Sequence, residues 1–230
     1  MKLLLTSNGI ANASIANALE ELVGKPRKKI SIAFIPTAAF PEDDIGYKSR
    51  DWLADDIYNA KEFCGFIDVV SLADLPKKDI IDRLELADVI FVGGGNPFYL
   101  SYMMQESGLF DELPRLLRTR VYAGISSGSM IATQSIRTAS QAINHTDSFY
   151  NNKFDDFGPK GRSAGRTACL VDFVVRPHYN SVVFPNVEGG FLEAIARDVK
   201  LPVYAIDDQT ALKVTDGKVE VVSQGEWRLL

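Results

Sequence analysis

The chain is poor in the residue types that mark several large functional classes. It has two cysteines in 230 residues, Cys64 and Cys169. Neither belongs to a CxxC pair, so a zinc site, a redox dithiol or a disulfide scaffold has no framework here, and two reduced thiols are expected. A basic excess is also missing. The net charge is -5, whereas a nucleic-acid partner calls for a positive surface. No apolar run approaches the ~20 residues that cross a bilayer. The opening Met1-Lys2-Leu3-Leu4-Leu5-Thr6-Ser7 is too short for a signal-peptide core and has no small-residue cleavage site, which makes the cytoplasm the expected location. Histidine is almost as scarce as cysteine. Imidazole chemistry is confined to His145 and His178.

What is present suits an ordinary globular protein. Apolar residues at 46% and charged residues at 24% argue against disorder. The length supports one large buried core, so a single α/β domain over residues 1–230 is expected. Short runs rich in Val, Ile and Leu alternate with segments of helical period. Strands are expected at Lys2–Ser7, Ile30–Ile35, Ile67–Leu72, Val89–Val92, Val121–Ile125, Leu170–Val175 and Val203–Ile206. Helices are expected at Ala13–Val23, Tyr47–Phe63, Lys77–Leu86, Phe98–Gln105, Leu109–Thr119, Ser127–Thr133 and Glu188–Val199, with loops at Pro41–Gly46 and Asp147–Thr167. Strand-helix alternation implies crossover connections and a doubly wound, mainly parallel sheet. Asp216-Gly217 between two β-rich runs marks a C-terminal β-hairpin, adding antiparallel strands at an edge.

Ligands of such sheets sit beyond the carboxyl ends of the strands, and three segments there carry chemistry. Gly124-Ile125-Ser126-Ser127-Gly128 is a G-x-S-x-G between a strand and a helix, the context in which a serine projects from a tight turn as a nucleophile. The Ser127 N–H at the helix start is then an oxyanion donor. Gly93-Gly94-Gly95-Asn96 lets backbone come close to a ligand and could give a second donor; it matches neither a dinucleotide fingerprint nor a P-loop. Arg176-Pro177-His178-Tyr179-Asn180 supplies a histidine just past a strand end, favoured over His145 as the base. Asp207-Asp208 follows another strand, and either carboxylate could orient the imidazole. Asp172 is a weaker rival because it lies within a strand.

Taken together, Phe91-Val92-Gly93-Gly94-Gly95-Asn96, Gly124-Ile125-Ser126-Ser127-Gly128-Ser129, Val175-Arg176-Pro177-His178-Tyr179 and Ala205-Ile206-Asp207-Asp208-Gln209-Thr210-Ala211-Leu212 resemble the serine peptidase family of dipeptidase E (alpha-aspartyl dipeptidase) and cyanophycinase. The resemblance implies a fold like that of class I glutamine amidotransferases, which is flavodoxin-like. It implies Ser126 as nucleophile, His178 as base and Asp208 as acid, with Gly94 or Gly95 and Ser127 around the oxyanion and Asn96 beside them. The family's nucleophile block is usually G-x-S-A-G, and here Ser127 replaces the alanine. An arginine expected to bind an aspartyl carboxylate falls on Phe191, so Lys153, Lys160, Arg162 or Arg166 would have to substitute, or other residues be accepted. The expectation is a peptidase of dipeptides or short peptides needing neither metal nor organic cofactor. Its partner is a small peptide, with no nucleic acid or membrane and with room for a homodimer. Its activity should fall below neutral pH, since free histidine titrates near ~6.5. Two other classes stay open: an amidotransferase-like enzyme, whose elbow usually carries cysteine, and a non-catalytic small-molecule binding protein on a hydrolase scaffold.

Overall fold

The computed structural model describes residues 1–41, 51–136, 165–182, 184 and 190–230. His145, Lys153, Lys160, Arg162, most of the Asp147–Thr167 loop, nearly all of the Pro41–Gly46 loop and the starts of the Tyr47 and Glu188 helices lie outside those residues.

Strands β1 (Lys2–Thr6), β2 (Ser31–Ile35), β3 (Phe66–Val69), β4 (Val89–Val92) and β5 (Val121–Ile125) are parallel to one another. Strands β8 (Thr210–Thr215) and β9 (Lys218–Ser223) extend this sheet antiparallel beyond β1, in the order β3-β2-β4-β5-β1-β8-β9. Their hairpin turns at Asp216 and Gly217, both at positive φ (49° and 84°), as a two-residue turn matching strand twist requires.

Residues alternate across the strands between two apolar layers. Leu3, Leu5, Ile90 and Val92 face one layer; Leu4, Val89 and Phe91 face the other. The first layer packs under α3 (Lys77–Leu86), α4 (Pro97–Glu106), α5 (Leu109–Leu116) and α6 (Ser127–Ile131). The second packs under α1 (Ala13–Val23) and α2 (Asp51–Phe63). Burial on both faces explains why these strands read as continuous apolar runs, each buried Leu, Ile or Phe contributing about 1.5–3 kcal/mol. The α1 helix shows how local chemistry fixes an element. The Asn12 side chain accepts the Ile15 N–H at 3.0 Å, and Gly24 ends the helix at φ 74° with its N–H on the Glu20 carbonyl.

The connections place the site. The chain leaving β1 turns to the α1 side, and the chain leaving the adjacent β5 turns to the α6 side. Neighbouring strands whose connections diverge open a crevice at their carboxyl ends.

The single sheet expected for the parallel strands divides in two. Val174–Arg176 (β6) and Val203–Ile206 (β7) do not join the main sheet. They pair in parallel with each other, and β7 pairs antiparallel with Trp227–Leu229 (β10) in a separate three-stranded sheet. The edge next to β1 is taken by β8, so β6 and β7 find their partner in the chain's last strand. Val175 and Ile206 still reach the first apolar layer, while Val174 and Val203 pack with Ala196 and Val199 of α7 (Gly190–Val199). This second sheet carries its strand ends toward the crevice. No described helix is long and apolar enough to cross a membrane.

Asp56 of α2 is 9% exposed. Burial, reinforced by the neighbouring Asp55 charge, pushes its carboxyl up to about 7. The folded state therefore holds a proton that the unfolded chain releases near ~3.9. Stability falls as pH rises from about 4 to 7, and the cost is complete above that window. Asp56→Asn removes the charge at similar volume. Its gain in thermal stability is expected to be larger at pH 8 than at pH 5, by on the order of 2 kcal/mol. Melting curves at both pH values check this; an equal shift at both would contradict the assignment.

Candidate active site

The turn after β5 is built around Ser126, whose backbone sits at φ 47°, ψ -107°, a strained conformation for a residue with a side chain. The neighbouring glycines are sterically required. A Cβ on Gly124 would lie 2.6 Å from Gly128 C and Ser129 N, and one on Gly128 would lie 2.1 Å from the Val92 carbonyl oxygen. Hydrogen bonds hold the turn against β1: Ser126 N–H donates to Thr6 O at 3.0 Å, and Thr6 Oγ1 donates to Gly124 O at 2.7 Å. The buried Tyr122 hydroxyl, its pKa raised by burial, donates to Gly128 O at 2.6 Å.

The glycine-rich segment after β4 lies alongside. A Cβ on Gly94 would be 3.5 Å from the Ser126 Cβ. Gly95 adopts φ 127° and passes so close to Ala38 that a Cβ would lie 2.3 Å from that carbonyl oxygen, so only glycine fits. The Ser127 hydroxyl donates to the Gly95 carbonyl, tying this segment to the turn. Asn96 has other work among the described residues. It is 1% exposed, its N–H donates to Ala38 O, and its side chain accepts the Phe98 and Tyr99 N–H groups at 3.0 and 2.9 Å as the cap of α4.

His178 leaves β6 at positive φ (62°) and brings its Nε2 to 2.9 Å from Ser126 Oγ. Its Nδ1 is 2.8 Å from Asp208 Oδ1. A carboxylate only accepts, so Nδ1–H donates to Asp208 and Nε2 is left to accept the serine proton. Burial works to raise the Asp208 pKa, but the hydrogen bond and charge of His178, with a hydroxyl of Ser7, outweigh it and hold the carboxyl below its ordinary value. The Phe184 ring stacks on the imidazole, centroids 4.5 Å apart at 22°.

The adjacent Asp207 is engaged elsewhere. Its Oδ1 accepts from Gln209 N (3.0 Å) and Thr210 Oγ1 (2.6 Å), and its Oδ2 accepts from Glu226 N (2.6 Å). Asp172 is exposed and takes a bond from Gln134 Nε2 at 3.2 Å. Arg166 pairs with Asp111 at 3.0 Å and lies over the Phe110 ring. Phe191 falls on α7.

The residue that sequence reasoning passed over is Ser7. It follows the carboxyl end of β1, is fully buried, and donates to Asp208 Oδ1 at 2.6 Å while accepting the His178 N–H at 2.9 Å. Its position at a strand end was the available signal.

A doubly wound sheet with a strained serine turn, an imidazole and a carboxylate at its carboxyl rim defines a class: a serine-type peptidase on a class I glutamine amidotransferase-like scaffold. The chain belongs to peptidase family S51, whose model matches residues 3–222. It is 31% identical over 219 residues to an uncharacterized peptidase of Pasteurella multocida, covering 94% of this chain and 95% of that one. It is 29% identical over 234 residues to peptidase E of a Nostoc species, covering 96% and 85%. A crystal structure of a Listeria monocytogenes protein, described as a candidate peptidase E, superposes with a TM-score of 0.75 at 21% identity, covering 97% of this chain and 98% of that one. At that identity the match speaks for the fold.

Proposed function

We propose that the chain hydrolyses dipeptides or other short peptides, with Ser126 as nucleophile, His178 as general base and Asp208 orienting the imidazole. The observation that carries this reading is the continuous hydrogen-bond run from Ser126 Oγ through both ring nitrogens to Asp208, at 2.9 and 2.8 Å. His178 Nε2 takes the hydroxyl proton as Oγ attacks the peptide carbonyl. The resulting oxyanion is received by backbone N–H groups of Ser127 and of Gly94 or Gly95, groups with no other partner among the described residues. The imidazolium then protonates the leaving amine, and water, activated by the same ring, hydrolyses the acyl-enzyme.

The family resemblance puts the carboxylate-binding arginine of aspartyl dipeptidases at Phe191, a side chain that cannot pair with a carboxylate. The chain would instead accept a range of residues ahead of the cleaved bond. A dipeptide library assayed for free amino acids, with Ser126→Ala as control, tests this. Turnover by the native chain of several library members, absent from the control, is expected. Equal release by both proteins would overturn the reading.

A further inference from the structure

We propose that Ser7 is a positioning residue of this site, its hydroxyl fixing both the Asp208 carboxylate and the His178 main chain; this rests on the triad reading above. The hydroxyl has one proton and two lone pairs. The proton goes to Asp208 Oδ1 at 2.6 Å, and a lone pair accepts the His178 N–H at 2.9 Å. The oxygen lies 3.3 Å from His178 Nδ1, so one atom touches both members of the acid–base pair.

The fold gives this contact its leverage. Ser126 comes from the large sheet, whereas His178 and Asp208 follow strands of the small one. The two groups must still meet within a few tenths of an ångström. Both are referenced to consecutive residues at the end of β1: the serine turn hangs from the Thr6 carbonyl, and the imidazole–carboxylate pair hangs from the Ser7 hydroxyl. β1 is a central strand, paired on one side with β5 and on the other with β8. His178 needs such an anchor, since a non-glycine residue at φ 62° is held there by its surroundings. Tyr179 N–H on Ile206 O at 3.0 Å is a further hold on this turn.

Ser7→Ala deletes the hydroxyl from a buried site without adding volume. It is expected to lower kcat about 10- to 100-fold, as loss of a hydrogen bond to a charged group or of a support to an active imidazole does, with KM changed less than about threefold. It should also move the acid limb of kcat/KM to higher pH. Ser7 is one of the influences holding the Asp208 carboxyl down; a carboxylate that loses this donor is a more basic partner for the Nδ1–H and favours the protonated imidazole. Among the described residues, His178, Asp207 and Glu226 are the ionisable groups hydrogen-bonded in this corner, and the last two are occupied by Gln209, Thr210 and Asn180. A role in packing alone would lower the melting temperature and leave the pH profile where it was.

Ser7→Cys, which keeps the volume with a weaker donor, should fall between the native chain and Ser7→Ala in rate, and reads the same quantities if the alanine variant does not fold. A kcat within twofold of native with an unmoved acid limb, in whichever variant folds, overturns the proposal. The native chain and Ser126→Ala are run beside them. If Ser126→Ala is inactive and the Ser7 variants are normal, the Ser7 role alone fails. If Ser126→Ala retains native turnover, the triad reading fails first.

Discussion

Ser126→Ala is expected to lower kcat by about 10⁴-fold or more while the protein stays folded and still binds peptide. The size follows from what is removed. Without the hydroxyl there is no acyl-enzyme, and the imidazole is left with only water to activate. The folded state should tolerate the change, because the Ser126 side chain makes its described hydrogen bond to His178 alone. The turn itself is held by Thr6 O, the Gly124 carbonyl and Tyr122. Steady-state kinetics on the best library dipeptide, with melting curves alongside, measure both halves. A rate within tenfold of native would remove Ser126 from the chemistry.

Asp208→Asn should come close behind, at about 10³- to 10⁴-fold in kcat. The asparagine amide can turn its NH₂ toward Nδ1. The ring then carries its proton on Nε2, the atom 2.9 Å from Ser126 Oγ, and cannot accept the serine proton. Asp207→Asn, one residue away, separates mechanism from structure. Its carboxylate accepts from Gln209, Thr210 and Glu226, and Gly225 passes so near that a Cβ there would lie 2.0 Å from Oδ2. That variant should lose about 1–3 kcal/mol of stability and keep kcat within a few-fold. A dead Asp207→Asn beside an active Asp208→Asn would reverse the roles.

The adjacent aspartates also show what a sequence can and cannot display. Both follow a strand, and both suit a turn or a triad. The choice depends on which carboxylate faces a histidine 30 residues away, and that is decided by the pairing of β6 with β7. The same distance effect hid the small sheet. β6 has three residues, and β7 pairs with the last strand of the chain, contacts to which no local pattern points. Ser7 was hidden more thoroughly: the strand end before it and Gly9 after it mark a turn, but its partners lie 171 and 201 residues on. By contrast, the serine turn was legible because its geometry requires glycine at 124 and 128, and glycines stand out. The inner strands β1, β2, β4 and β5 were legible because burial on two faces demands unbroken apolar runs. Asn96 was read with the oxyanion segment; that its side chain caps α4 was not read, although an asparagine before a proline can start a helix.

The most direct test is to treat the native chain with a fluorophosphonate and locate the adduct by peptide mass spectrometry. One phosphonyl group on Ser126, absent in Ser126→Ala and strongly slowed in His178→Ala, is the expected result. An unmodified Ser126, or labelling that proceeds unchanged without His178, would contradict a serine activated by that imidazole.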